Sequence, residues 1–147
     1  MNGIKMSDCR FYVSERARTV ICVIPETKYM VDDFIEDHFQ FNDIDLYGAI
    51  DYRHFMKELY MPNSFMGKAV CAPEDEWNEE TGRLIACSRA KDKCYKSFFK
   101  RANKFVQTVD RRLGDAIEKF NNFGLQLENK REGMKQRIDE LTGTSWE

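Results

Sequence analysis

The strongest constraint on this fold is a run of apolar residues that recurs at intervals of three, four and seven through the second half of the chain. The run comprises Leu84, Cys87, Cys94, Tyr95, Phe98, Ala102, Phe105, Val109, Leu113, Ala116 and Phe120. This spacing puts the apolar side chains on one face of a helix for about ten turns. It predicts a bundle or coiled coil, or two helices broken near Gly114 or Gly124. A further amphipathic segment, residues 125–141, is predicted to end at Gly143.

The start of this helical region is also predicted. An acidic segment follows Pro73, and either Asp75 or Asn78 provides an N-cap. Acidic side chains there stabilise the positive end of the helix dipole. Because so long a helix cannot bury its stripe against a small sheet alone, we expect a homodimer or higher oligomer through the C-terminal helices.

The first half of the chain has the β-branched and aromatic residues of strands. Residues 10–14 and 19–24 predict a hairpin, and residues 65–72 predict a further strand. Residues 28–41 predict a short helix, whereas residues 44–61 fit a strand followed by a short helix only ambiguously.

The predicted fold class is therefore α+β. A small N-terminal antiparallel sheet with a short helix is followed by long C-terminal helices that pack in an oligomer. Residues 1–147 are assigned to a single domain, with a sheet-containing part at 1–73 and a helical part at 74–143.

Composition excludes several classes of protein. Hydrophobic residues make up 42% of the 147 and aromatic residues 13%, which is too apolar for a disordered chain. No apolar run approaches the roughly 18 residues that a membrane span needs. The first residues lack the pattern of a secretory signal, so a cytoplasmic protein is expected.

Enzyme signatures are missing from the sequence. It contains no nucleophile-elbow, P-loop, dinucleotide or zinc-protease motif, and neither His38 nor His54 has a cysteine at zinc-ligand spacing. The five cysteines are odd in number and form no CxxC pair, so we expect reduced core thiols. We predict a non-enzyme with no catalytic residue, metal ligand or cofactor.

Charge is separated along the chain although the net charge is only −2. Residues 26–51 contain eight acidic residues and one lysine, whereas residues 83–112 contain ten basic residues and two acidic ones. Such asymmetry predicts a charged partner. A solvated helix face, or pairing of the basic stretch with the acidic segment, explains the pattern equally well.

If the basic stretch binds an anion, its residues divide into two roles. The predicted phosphate ligands are Arg89, Lys93, Lys100, Arg111 and Arg112. The predicted base-stacking residues are Tyr95, Phe98 and Phe99. Basic groups beside aromatic rings are typical of sites that hold phosphates and stack a base. The aromatic residues fit a core or an oligomer interface as well.

One segment resembles a known element. Residues 67–77, GKAVCAPEDEW, followed by Gly82, Ala86 and Arg89-Ala90, resemble a strand-to-helix element of small phage and prophage proteins from Gram-positive bacteria. The order of a short sheet before long helices is similar to the first described class of phage anti-Thoeris proteins. That resemblance implies an oligomeric sponge that sequesters a cyclic ADP-ribose signal in the host cytoplasm.

Two functions are therefore expected from the sequence. The first is a non-enzymatic phage anti-defence protein that binds a small phosphorylated cyclic nucleotide. The alternative is a nucleic-acid-binding or protein-inhibiting phage factor, such as an anti-CRISPR protein or a regulator. A pI of 5.8 and the lack of a helix-turn-helix pattern disfavour duplex binding.

Overall fold

The computed structural model describes three stretches of the chain, residues 3–41, 44–45 and 57–143. The predicted α+β class is confirmed, because a small antiparallel sheet in the first half precedes one long helix. None of the helices in these three stretches combines the length and apolarity that a bilayer span requires.

The predicted hairpin opens the sheet. A short 3₁₀ helix, Met6–Asp8, leads into β1 (Arg10–Ser14), which pairs antiparallel with β2 (Thr19–Pro25). Arg18 ends the turn in the left-handed region, with φ of 49°. The hairpin forms as its β-branched and aromatic residues predict.

The predicted short helix follows the hairpin. It is α1 (Met30–Phe39), and the chain then forms a two-residue antiparallel pair, β3 (Gln40–Phe41) with β4 (Ile44–Asp45). Residues 46–56 lie outside the described part of the chain. They include His54 and most of the segment 44–61, for which the sequence allowed no clear prediction.

The third strand of the main sheet is β5 (Ser64–Val70), two residues shorter than predicted at its end. It pairs antiparallel with β2, so the strand order is β1-β2-β5 and β2 is central. The register aligns Cys22 with Phe11 on one side and with Gly67 on the other.

The core lies on one face of this sheet. Alternate residues of β2 are buried, as a strand with one covered face requires. The buried side chains from the sheet, α1 and the segment before β5 are Val20, Cys22, Ile24, Ala69, Val31, Ile35, Leu59 and Met61. The opposite face carries exposed Tyr12, Met66 and Val70.

The helical half is one unbroken helix, α2 (Glu79–Thr142). Of the two predicted N-caps Asn78 is used, since its Oδ1 accepts a hydrogen bond from the Thr81 amide at 3.0 Å. The helix passes through Gly114 and Gly124 without the break that the sequence left open. It ends as predicted beside Gly143, whose φ is +65°.

The chain divides into two compact units, Met1–Phe105 and Val106–Glu147. In the first unit, α2 contributes a buried stripe consisting of Ala86, Cys87, Ala90, Cys94, Phe98, Ala102 and Phe105. In the second unit, every residue from 110 to 138 is exposed. The apolar stripe of the helix is therefore buried in the first unit and open in the second.

The backbone of α2 contacts β5 directly at Gly67. A Cβ atom built on Gly67 would lie 2.1 Å from the Ala86 carbonyl oxygen and 2.4 Å from the Ala90 amide nitrogen. A similar approach occurs at Gly82, where a Cβ would lie 2.7 Å from a methyl group of Val20. Only glycine permits this spacing, so these residues fix how α2 packs on the sheet.

Replacing Gly67 with alanine should destabilise the fold. We expect Gly67→Ala to lower the free energy of unfolding by about 1–3 kcal/mol or more, because the new methyl group overlaps backbone atoms that cannot rotate away. Urea unfolding followed by circular dichroism measures this. Gly133→Ala is the control: its Cβ meets nothing within 4 Å, so stability should rise by up to about 1 kcal/mol. Equal stability of Gly67→Ala and the unmodified protein would contradict the close approach.

Candidate functional site

Two of the predicted phosphate ligands, Arg89 and Lys93, hydrogen-bond to the edge of the sheet. Arg89 Nη1 donates to the Lys68 carbonyl oxygen at 2.7 Å, and Lys93 Nζ donates to that of Met66 at 2.9 Å. Because β5 is an edge strand, its outer carbonyl groups have no strand partner. The two cations satisfy these carbonyl groups.

The four-residue spacing of these cations matches the geometry of the strand. Four helical residues rise about 6 Å, and two strand residues advance about 6.6 Å. Arg101 continues the pattern, because its Nε donates to the Tyr60 carbonyl oxygen at 3.0 Å. The helix thus runs antiparallel to residues 60–68, and part of its basic face caps a sheet edge.

The three predicted base-stacking residues lie in different environments. Phe98 is buried and packs edge-to-face with Phe34, at 5.5 Å between ring centroids. The hydroxyl oxygen of Tyr95 accepts a hydrogen bond from the Ile4 amide at 3.1 Å. Phe99 is 67% exposed, so it alone of the three presents most of its ring to solvent.

The other predicted phosphate ligands are Lys100, in the first unit, and Arg111 and Arg112, in the second. All three are exposed and make no ion pair or hydrogen bond within the described residues. They remain available to an anion. Arg89 and Lys93 remain predicted ligands too, but each would have to exchange a carbonyl oxygen for a phosphate.

The basic helix is neutralised only in part. Lys96 pairs with Asp92 at 2.9 Å, and Lys104 pairs with Glu58 at 2.9 Å. Between the described parts of the acidic segment 26–51 and the basic stretch, no ion pair occurs. Arg83, the first cation of the stretch, pairs with Glu79 at 3.0 Å. These exposed pairs contribute roughly 0–1 kcal/mol each, and the other basic residues of the stretch make no ion pair within the described residues.

A cleft in the first unit has the opposite charge. Its acidic lining residues are Asp8, Glu26, Asp33, Glu36 and Asp37. Next to it, burial raises the pKa of Asp32, and the neighbouring charges of Glu36 and Asp33 raise it further. A phosphate group would be repelled here, so this cleft is not the site that the sequence predicts.

Three cysteines converge beneath the sheet in the first unit. The sulfur atoms of Cys9, Cys22 and Cys87 all lie within 4.8 Å of one another. Cys22 and Cys87 are buried and Cys9 is half-buried. The residues come from the segment before β1, from the central strand and from α2, and we refer to them as the thiol cluster.

Two thiols of the cluster, Cys9 and Cys22, have pKa values above the ordinary value for cysteine. Burial raises the pKa of Cys22 to about 12, and the neighbouring Cys9 adds to the effect. Burial also raises the pKa of Cys9, whereas the positive charge of Lys91 lowers it. The next thiol along α2, Cys94, lies 3.6 Å from the sulfur of Met30. This part of the core is unusually rich in sulfur.

The thiol cluster could not be recognised from sequence spacing. Cys9 and Cys22 are brought together by the register of the hairpin, and Cys87 joins them because of the way in which α2 packs on the sheet. The one usable signal was the seven-residue interval between Cys87 and Cys94. It places both thiols on the buried face of α2 but does not connect them with the strands.

Comparison of the chain with protein-family models, with curated proteins and with solved structures found no match.

The high pKa of Cys22 predicts how stability depends on pH. Its folded-state value of about 12 exceeds the ordinary value of 9.0, so the thiol stabilises the fold below pH 9. This contribution is lost as the pH rises from about 9 to about 12. Urea unfolding at a series of pH values, in buffer that contains a strong metal chelator, should show the decline. Because other groups titrate there, Cys22→Ala is the reference and should show a smaller decline. Equal declines in the two proteins would refute the assignment.

Proposed function

We propose that this protein is a non-enzymatic binding protein that works as a homo-oligomer assembled through the second half of α2. One observation carries the proposal. Six apolar residues recur there at strict seven-residue intervals, and all six are exposed: Val106, Leu113, Phe120, Leu127, Met134 and Leu141. Seven-residue repeats are the mark of a coiled coil, in which neighbouring helices bury each repeat position.

The stripe is wider than a single row. Ile117 and Ile138 lie on one side of it, and Val109, Ala116 and Phe123 lie on the other. An apolar face of about three residues per heptad is typical of helices that face the core of a bundle. A bundle of more than two copies is therefore favoured over a two-stranded coiled coil.

A second copy of this chain is the occupant that fits best. In the described residues from 110 to 138, α2 has no covered face and includes Gly114, Gly124 and Gly133. Each glycine costs about 1 kcal/mol relative to alanine, and isolated helices are marginal in water. Each large apolar side chain that becomes buried contributes about 1.5–3 kcal/mol. Identical helices supply a stripe of matching length and spacing, so self-association stabilises this segment.

A charge placed in the stripe should dissociate the oligomer. Leu127→Glu is expected to shift the protein towards the monomer, because each copy would bury an unpaired carboxylate. Size-exclusion chromatography with light scattering measures the mass. Asn129→Glu adds the same charge two residues away, outside the stripe, and should leave the mass unchanged. A monomeric unmodified protein at micromolar concentration would refute the proposal.

A second candidate function concerns the ligand. The adjacent exposed cations Arg111 and Arg112 of the second unit favour capture of a small phosphorylated nucleotide of the cyclic ADP-ribose type. Phe99 and Lys100 of the first unit are exposed as well. The resemblance to phage proteins suits a role against host defence. All five cysteines are free, which suits action in a reducing compartment such as the host cytoplasm.

Native mass spectrometry of the protein with cyclic ADP-ribose tests this candidate. We expect a retained ligand that is recovered intact after denaturation, because a sponge binds without turnover. Arg111→Glu combined with Arg112→Glu should weaken binding at least tenfold, whereas Lys130→Glu, which removes a positive charge elsewhere on the helix, should not. Recovery of a hydrolysed product, or binding of duplex DNA that weakens steeply with salt instead of nucleotide binding, would overturn it.

A further inference from the structure

We propose that Cys9, Cys22 and Cys87 bind a thiophilic divalent cation of the zinc type. Their three sulfur atoms already lie within 4.8 Å of one another. Zinc bonds to cysteine sulfur are about 2.3 Å long, so the sulfur atoms of a tetrahedral site are separated by roughly 3.8 Å. The observed limit of 4.8 Å exceeds that separation by only about 1 Å.

The donor set selects the class of metal. Three thiols with no carboxylate or imidazole among them suit soft or borderline cations and not magnesium or calcium. The described histidine, His38, is occupied elsewhere, since its Nδ1 lies 3.0 Å from the Phe34 carbonyl oxygen of its own helix. The site is therefore a sulfur site that takes its remaining ligand from water or from another sulfur.

Charge compensation is also present. A divalent cation with three thiolates leaves one net negative charge, and burying it uncompensated would be costly. Lys91 lines the same surface cleft as Cys87. Its ammonium group offsets that charge. Each thiol that binds the metal releases its proton to solvent.

An access route leads to the cluster. A surface cleft is lined by Met6, Cys87, Ser88, Lys91 and Tyr95, among others. It connects solvent with Cys87 and carries the compensating lysine. We expect an ion, and a water molecule that completes its coordination, to approach the cluster from the Cys87 side.

A bound metal would join three separate parts of the first unit: the segment before β1, the central strand and α2. Closing such long loops restricts the unfolded chain, as a cross-link does. The ion would therefore stabilise the contact between the sheet and the helix. This inference is independent of oligomer formation and of the nucleotide, because it concerns residues that neither proposal uses.

The test uses the full-length protein purified under reducing conditions after expression in zinc-supplemented medium. Elemental analysis after dialysis should find close to one zinc per chain. Removal of zinc by a strong chelator should lower the melting temperature, and added zinc should restore it. Cobalt added to the metal-free protein should produce the near-ultraviolet charge-transfer absorption of cobalt–thiolate bonds.

Two variants separate the thiol cluster from other cysteines. Cys9→Ser replaces the most accessible cysteine of the cluster. Loss of a residue that only hydrogen-bonds to a metal ligand lowers metal affinity roughly 10–100-fold, so loss of a ligand itself should weaken zinc binding by at least that factor. Cys71→Ser removes a cysteine outside the cluster and should retain one zinc per chain.

Three results would overturn the inference. The first is that the unmodified protein contains no zinc and shows no cobalt–thiolate absorption. The second is that two of the three cysteines form a disulfide and no metal is bound. The third is that the Cys9→Ser variant retains as much zinc as the unmodified protein. If Cys9→Ser fails to fold, the cobalt spectrum of the unmodified protein decides the matter by itself.

Discussion

The contact between Gly67 and the backbone of α2 determines the arrangement of the first unit. Because no side chain separates strand from helix, Ala86 and Ala90 lie directly against β5. This proximity lets Arg89 and Lys93 reach the outer carbonyl groups of β5 and places Cys87 near Cys22. Gly67, Gly82, Ala86 and Ala90, which belong to the segment that the sequence analysis singled out, pack the helix on the sheet. These four residues therefore have a structural role.

The basic residues of α2 fall into two groups according to their contacts. At Arg89 and Lys93, the four-residue spacing follows the spacing of carbonyl groups along an edge strand, which prevents further strand pairing there. At Lys100, Arg111 and Arg112, no such structural use exists within the described residues. Of the five predicted phosphate ligands, these three have no protein partner within the described residues, so mutations at these positions test the binding proposal with the least effect on the fold.

Self-association and metal binding would act on different parts of the chain. The exposed heptads of the second unit would bury their apolar side chains against other copies of the same helix, whereas a metal at the thiol cluster would reinforce the packing within each copy. Both would make the scaffold more rigid before a ligand binds, which lowers the ordering cost of binding.

The sequence by itself determined the α+β class, the hairpin, α1, β5 and the helical nature of the second half, because each depends on local periodicity and on nearby capping residues. The terminus at Gly143 is an example. The structure decided that Asn78 and not Asp75 is the N-cap, and that α2 continues through Gly114 and Gly124. Only the tertiary structure decided which basic side chains hydrogen-bond to backbone carbonyl groups and which cysteine sulfur atoms lie close together. Arg89 donates a hydrogen bond to a carbonyl group 21 residues away in the sequence, and the sulfur atoms of Cys9 and Cys87 lie within 4.8 Å of each other. Both depend on strand register and on backbone approach at Gly67, which no local pattern of residues encodes.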